Sequence, residues 1–449
     1  MKCIKIEKKR KNDSSMNYSQ IEEYILNIPK FRKEVNMEQT RAFYEYLGKP
    51  GKSASIIHVA GTNGKGSTCA YMNSVLTEAG FRVGMFTSPH LVSMRERMRI
   101  NNALISEQEF IDAFAKIQEM VTSLYTPTFY EFLFFMAMLY FEEKKVDVII
   151  LETGMGGRLD ATNVIDAPQV AVITQIGMDH MEILGDTYEK IAEEKAGIIK
   201  AGSKVIYSAN RQEVTRVIER KAAQCQVLCK SVEKYVKHRV RFVDKKIDFS
   251  FQSRYYGCIP IILNTCAHFQ VENASLALMA LEELGLEIPK ESMIKGMERC
   301  NWEGRMEEIL PGVFLDGAHN EDGIEAFVAS VRQVPCVGKR YVLFSAVADK
   351  EYERMKDKLM ESKLFDYLYA APLKNARGIT KSELEHIFAD RKENAKDESK
   401  QINIRIVDRT YEGLEEILSL RHKEDQVYVV GSLYLVGEIK THLNPKEKP

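Results

Sequence analysis

The chain has 449 residues, 45% apolar and 28% charged, with a formal net charge of −1. That is ordinary globular composition, long enough for two or three domains at roughly 150 residues each and for a core that needs no disulfide or metal. The near-zero charge argues against a chain that coats a polyanion. The longest apolar run, 129–141, is interrupted by Glu131 and too short to span a bilayer.

Residues 1–15, MKCIKIEKKRKNDSS, are basic but lack the apolar core of a signal peptide, so they read as a disordered lead-in to a cytoplasmic chain. Amphipathic order begins at Met16. SIIHVA (55–60) reads as a strand, followed by a glycine-rich loop and a helix from about Ser67 to Gly80. The run 129–141 reads as a buried helix. VDVIILE (146–152), QVAVITQIG (169–177) and SKVIYSA (203–209) are further strands. Continuous Val/Ile runs suit parallel strands covered on both faces, and their alternation with helices predicts a doubly wound α/β sheet.

The texture changes at 239–265, where period-two alternation predicts antiparallel hairpins, and 271–285 returns to helix. Beyond about residue 304 the strand–helix rhythm restarts, with strands expected within 312–320, 339–347, 365–372, 401–408 and 426–432. A boundary near Glu303 therefore divides a nucleotide-binding unit, 16–303, from a smaller Rossmann-like α/β unit, 304–449. The stretch 390–401 reads as a solvated loop. The eight cysteines show no C-x-x-C pair. Free thiols in a reducing compartment suit them better than a metal held by Cys225, Cys229, Cys258 and Cys266.

Residues 60–68, AGTNGKGST, depart from the usual phosphate loop, because Gly66 separates Lys65 from Ser67. A tight turn with no ligand is one reading. The order strand, glycine loop, helix favours an anion cradle: glycines let backbone N–H groups converge, and a helix start adds its own donors. Gly61, Thr62, Asn63, Gly64, Lys65, Gly66, Ser67 and Thr68 would then hold phosphates, with Lys65 as a point charge and Ser67 or Thr68 as a hydroxyl near a metal. Glu152 closes an apolar strand where an acid is costly to desolvate without a partner. His180 follows the next strand and Lys195 lies on the helix after it. Each alone could be a salt bridge, a loop residue or an ion-paired surface lysine. Their joint arrangement is what suggests a site.

HVAGTNGKGST, TSPHL, LETGMGGRLDATNV, GMDHMEILGDTYEKIAEEKAGIIK, DGAHN and GSLYLVG, in this order from Met16 to the C-terminus, resemble the folylpolyglutamate synthase/dihydrofolate synthase family, which groups with the peptidoglycan amino-acid (Mur) ligases. The resemblance implies ATP-driven amide formation through an acyl phosphate that is captured by L-glutamate. It implies Gly61–Thr68 on the triphosphate, Ser88 and Glu152 on a first Mg²⁺, His180 on a second, and a carbamate on Lys195. It further implies Asn273, Arg305 and Asp316 as ATP contacts and His319 and Ser432 in the glutamate pocket, where helix capping or loop packing is an equal reading of those two. Glu321 stands where the family often has proline after DGAHN.

For the pterin side the resemblance implies Thr128, Phe129 and Glu131 in TFYEF, a stretch that reads equally well as the start of a buried helix, and Asp160 and Ala161 in RLDATN. Ala161, where polyglutamylation-only enzymes more often show serine, points to dihydropteroate as a substrate beside folates. The resemblance also implies a monomer with small-molecule substrates, no nucleic acid and no membrane. The competing readings are a P-loop ATPase that powers a switch or acts on nucleic acid, and a non-catalytic folate-binding relative.

Overall fold

Continuous apolar runs build the first sheet. Its strands are β1 Ser55–Ala60, β2 Val83–Phe86, β3 Met98–Ile100, β4 Ala103–Leu104, β5 Val148–Glu152, β6 Val170–Ile173, β7 Lys204–Tyr207 and β8 Cys229–Ser231. The computed structural model describes residues 16–443, apart from 31, 33–35, 122–124, 235–239, 349–350, 375–377 and 390–401. The expected lead-in 1–15 and the loop 390–401 lie outside the described residues. The strand order is β4-β3-β2-β5-β1-β6-β7-β8, and every pairing is parallel except those made by β3.

The chain leaves β1 for β2, two places away, and later returns to β6 on the other flank. The crevice of an open α/β sheet therefore opens above the carboxyl end of β1, between β5 and β6. Register sets the crevice walls: Val59 pairs with Glu152 and Ala60 with Ile173.

Side chains alternate across the sheet, as the pleat requires. Ile149 and Leu151 join a core with the helices Tyr18–Leu26, Glu107–Met120 and Phe129–Glu143. Val148 and Ile150 face the opposite core, with the helices Lys65–Glu78, Gln270–Glu283 and Lys290–Arg299. The run 129–141 is thus a helix buried in this packing, as its apolarity requires. The helix after the glycine loop starts at Lys65 rather than Ser67, because Gly64 takes a left-handed conformation (φ +87°) that ends the loop two residues earlier.

The expected hairpins form a three-stranded antiparallel sheet, β9 Arg241–Val243, β10 Lys246–Ser253 and β11 Gly257–Leu263. Its inward residues Ile247, Phe249, Phe251, Ile259, Ile261 and Leu263 close the core over the helix Gln270–Glu283.

The second large sheet comprises β12 Arg305–Leu310, β13 Val313–Asp316, β14 Arg340–Phe344, β15 Tyr367–Ala370, β16 Asn403–Ile406 and β17 Gln426–Val430. Its order is β12-β13-β17-β14-β15-β16, parallel but for β12 against β13. Each strand expected after residue 304 is present. β12 is unanticipated: its sequence RMEEIL has little apolar alternation, and its pairing is interrupted by register shifts.

The helix carrying the glycine loop has a close neighbour. A Cβ on Gly296 would sit 2.5 Å from the Val75 Cα, and Ser74 Oγ donates to the Gly296 carbonyl at 2.7 Å. Gly296→Ala should force the two helices apart and cost about 1–3 kcal/mol. A urea or thermal unfolding midpoint equal to that of the unaltered chain would show that the crossing has room to spare.

Candidate functional site

The loop after β1 runs from Gly61 into the helix Lys65–Glu78, whose first-turn N–H groups have no carbonyl one turn back and point out of the helix end. At Gly64 a Cβ would meet Asn273 Oδ1 at 2.2 Å, so this left-handed turn and the amide of Asn273 share one small space. Lys65 Nζ folds back to donate to the carbonyls of Gly61 (3.0 Å) and Thr62 (3.2 Å). Lys195, buried at 4% exposure, donates from Nζ to the same Gly61 carbonyl at 2.7 Å. Two ammonium groups thus meet at one carbonyl beside the loop, a concentration of positive charge suited to an anion. Ser67 lines the cleft with its hydroxyl near Gln270 Nε2 (3.2 Å), whereas Thr68 points into the protein, its Oγ1 buried without a hydrogen-bond partner.

Glu152 ends β5 and is buried, accepting the Ser88 N–H on Oε2 at 2.9 Å. Burial raises its carboxyl above the ordinary range, against the opposing pull of Lys65, the Ser88 amide, Arg305 and Arg97. Beyond Ser88 this loop reaches the second unit: the Leu91 carbonyl lies only 2.1 Å from where a Cβ on Gly437 would stand, in the helix Leu433–Leu443.

After β6, His180 begins a short helix in a left-handed conformation (φ +50°) and is exposed to the cleft. Asp179 Oδ2 stands 3.9 Å from His180 Nε2 and 3.7 Å from Nε2 of His319, which comes from the opposite unit.

The second sheet delivers its own carboxyl ends. Asp316 ends β13, buried, accepting the N–H groups of Met306 and Ala318 at 2.9 and 2.8 Å. Burial raises its carboxyl also, with Arg305 the main opposing charge. His319 Nδ1 lies 2.8 Å from the Gly317 carbonyl, and Ser432, after β17, accepts the Tyr434 N–H at 3.1 Å. Arg305, Asp316, His319 and Ser432 line one cleft with Gly61–Ser67, Ser88, Glu152, His180, Lys195 and Asn273.

Further contacts clasp the units across this cleft. The side-chain amides of Asn63 and Asn320 bond to each other at 3.1–3.2 Å, and Asp322 accepts both the Met178 N–H and Arg211 Nη2 at 3.3 Å.

Among the described residues, no three His, Cys, Asp or Glu side chains gather as a metal cage. The oxygens of Glu152 and Ser88 nevertheless fit Mg²⁺, which keeps waters and takes one or two carboxylates beside substrate phosphates. At His180 the fit is partial, because an ammonium at Lys195 has no lone pair to give a metal.

Comparison with known proteins agrees with this architecture. The chain matches the Mur ligase middle domain over residues 59–281 and the Mur ligase, glutamate ligase domain, over 304–433. It is 37% identical over 358 residues to a dihydrofolate synthase/folylpolyglutamate synthase of Bacillus subtilis, covering 76% of this chain and 82% of that protein.

The chain belongs to the folylpolyglutamate synthase/dihydrofolate synthase family.

Solved structures superpose on it along nearly its whole length. E. coli FolC in complex with DHPP and ADP matches with a TM-score of 0.83 at 27% identity, covering 96% of this chain and 99% of that one. A bifunctional folylpolyglutamate synthase/dihydrofolate synthase with Mn, AMPPNP and L-glutamate bound matches with a TM-score of 0.79 at 28% identity, covering 96% and 98%. These relatives leave the alternative of a switch or nucleic-acid ATPase without support.

In this family member the residues expected on the pterin side are not among those that line this cleft. Thr128 and Glu131 form a capping box at the start of the helix Phe129–Glu143, and Glu131 also takes Thr40 Oγ1 (2.8 Å) and Arg32 Nη2 (3.0 Å). The spacing T-x-x-E is itself a helix-start signal, and the capping box is what it forms here. Phe129 lies under the Arg97 guanidinium, 5.4 Å from ring centre to charge. Asp160 accepts the N–H groups of Gly154, Met155 and Thr162 and the Thr162 hydroxyl, shaping the loop whose Gly154, Met155 and Gly156 do line the cleft. Ala161 is buried beside it. The sequence reading missed Asp179, Gln175, Glu272 and Tyr434 of the lining. Asp179, next to His180, could have been found as an acid at a strand's carboxyl end.

Behind that loop, His58 Nε2 lies 2.8 Å from the Thr162 hydroxyl, which in turn donates to Asp160, so the imidazole donates and the chain His58–Thr162–Asp160 runs one way. Complete burial, and secondarily Lys200, lowers His58 to about 3. The unfolded chain, with an ordinary value near 6.5, takes up the proton first. The stability carried by neutral His58 is therefore whole above about pH 6.5 and lost toward pH 3, at about 1.4 kcal/mol per pH unit at most. His58→Gln should flatten the fall of the unfolding midpoint between pH 7 and 5; identical slopes in both proteins would contradict this assignment.

Proposed function

We propose that this chain joins L-glutamate to the terminal carboxylate of a folate at the expense of ATP, and that dihydropteroate is a second acid it accepts. The observation that carries this reading is the meeting, in one cleft, of the glycine loop, Glu152, His180 and Lys195 with Arg305, Asp316, His319 and Ser432. Two relatives support it, one in complex with DHPP and ADP, the other with Mn, AMPPNP and L-glutamate bound.

A carboxylate is a poor acyl donor because it has no good leaving group, and transfer of the γ-phosphoryl group supplies one. The amine of L-glutamate then attacks the acyl carbon and phosphate departs. The protein's part is positioning and charge neutralisation. In this reading the first-turn amides of 65–67, the loop from Gly61 and the Lys65 ammonium hold the triphosphate, with Thr68 supporting the helix start from inside. Asn273 and Asp316 hold the nucleotide, and Arg305 reaches its phosphates from the second unit.

Ser88 and Glu152 would hold one Mg²⁺ and His180 a second. When bound, Mg²⁺ neutralises phosphate charge and polarises the phosphoryl oxygens. Lys195 would carry a carbamate, formed when its neutral amine adds to CO₂ and loses a proton; this makes the group anionic and able to ligate. His319 and Ser432 would receive L-glutamate. Thr128, Phe129, Glu131, Asp160 and Ala161 would act on the pterin side by setting the walls and the 154–156 loop. Residues 16–303 and 304–449 form the two units that close on the substrates.

The purified protein should consume ATP only when a folate and L-glutamate are both present, and the folate should gain mass in steps of one glutamate residue. Glu152→Gln and Lys195→Ala should each lower that turnover roughly a hundredfold or more. ATP consumption indifferent to both acceptors would overturn the reading, and dihydropteroate in place of folate tests the second activity.

A further inference from the structure

Gly66 is the residue that sets this loop apart, and backbone strain does not account for it. It lies inside the helix Lys65–Glu78 and is not among the positive-φ glycines, so alanine would suit its conformation better. What a side chain would meet is Trp302: a Cβ on Gly66 would stand 3.0 Å from the indole Nε1, 3.2 Å from Cζ2 and 3.3 Å from Cε2. Trp302 is the chain's one tryptophan. Its ring also meets the Arg99 guanidinium, 5.6 Å from the centroid.

Trp302 sits in the short passage between the helix Lys290–Arg299 and β12, which begins at Arg305. That passage is pinned on its far side as well. Lys440 Nζ pairs with Glu303 and, at 2.9 Å, with Glu307, while Gly304 N donates to Glu307 at 2.7 Å and the Gly304 carbonyl accepts Gly317 N at 2.8 Å. Gly66, Trp302, Arg305 and Glu152 border one small side chamber of the main cleft. The indole is therefore the part of the crossover that meets the phosphate loop, directly ahead of the turn Glu303–Gly304 that delivers Arg305.

We propose that Trp302 is a positioning residue: its indole, seated on Gly66, sets the distance between the phosphate loop and Arg305, and Gly66 is glycine to receive it. This rests on the nucleotide part of the reading above and is independent of which acid is ligated.

The test measures binding of the magnesium complex of a non-hydrolysable ATP analogue by calorimetry, with no folate present, so failure of the ligase assignment leaves it intact. Gly66→Ala and Trp302→Ala should each weaken binding about tenfold, with the double variant no weaker than Trp302→Ala alone, and Trp302→Phe should keep most of the affinity. In the unaltered protein, the analogue should change the emission of the single tryptophan. A Gly66→Ala loss that persists in full beside Trp302→Ala would overturn the proposal, since the glycine would then serve the anion directly. Tryptophan emission unchanged at saturating analogue would overturn it too, whether or not Trp302→Ala folds.

Discussion

Glu152 is brought into a buried position at the floor of the cleft by the strand it ends, at 3% exposure behind Val148, Ile149, Ile150 and Leu151. A carboxylate in such a place stays ionised only if cations and donors stand near enough to replace the lost water. The structure opposes that cost in part with the Lys65 ammonium, the Ser88 amide, and guanidinium groups from Arg305, across the cleft, and Arg97, while burial still raises the carboxyl above its ordinary range. The same crevice holds the Lys195 ammonium against the carbonyl that Lys65 also uses. The site is a dense alternation of buried charge whose balance changes as soon as phosphate or a divalent metal enters.

Two sheets supply this arrangement by one rule. In each the parallel strands aim their carboxyl ends at the cleft, so that Gly61, Glu152 and the 174–180 loop face Asp316, His319 and Ser432. A ligase that must first energise an acid and then admit an amine gains from such a layout, since one jaw can hold nucleotide while the other closes over the second reactant. Asp179, between His180 and His319, already spans the jaws.

Much of this was legible in the sequence, and for local reasons. The parallel strands were visible as unbroken Val/Ile runs, the loop as glycines between a strand and a helix, and Glu152 as an acid in the wrong company. Residues whose meaning depends on distant partners were not legible. Nothing near Trp302 in the sequence tells of Gly66, and nothing near Asn63 tells of Asn320. β12 escaped because charged residues and register shifts hide its alternation. At Thr128 and Glu131 a local signal was present but had two readings, and the capping one describes their hydrogen bonds.

The seating of the Leu91 carbonyl against Gly437 means that the serine loop of the first unit is braced by the last described helix of the second. The C-terminal part is therefore a strut as well as a lid. A chain severed between the two would keep its glycine cradle but lose the wall against which the loop from Ser88 to Leu91 is held. The amide that faces Glu152 is thus a property of the joined molecule, inherited by neither half alone.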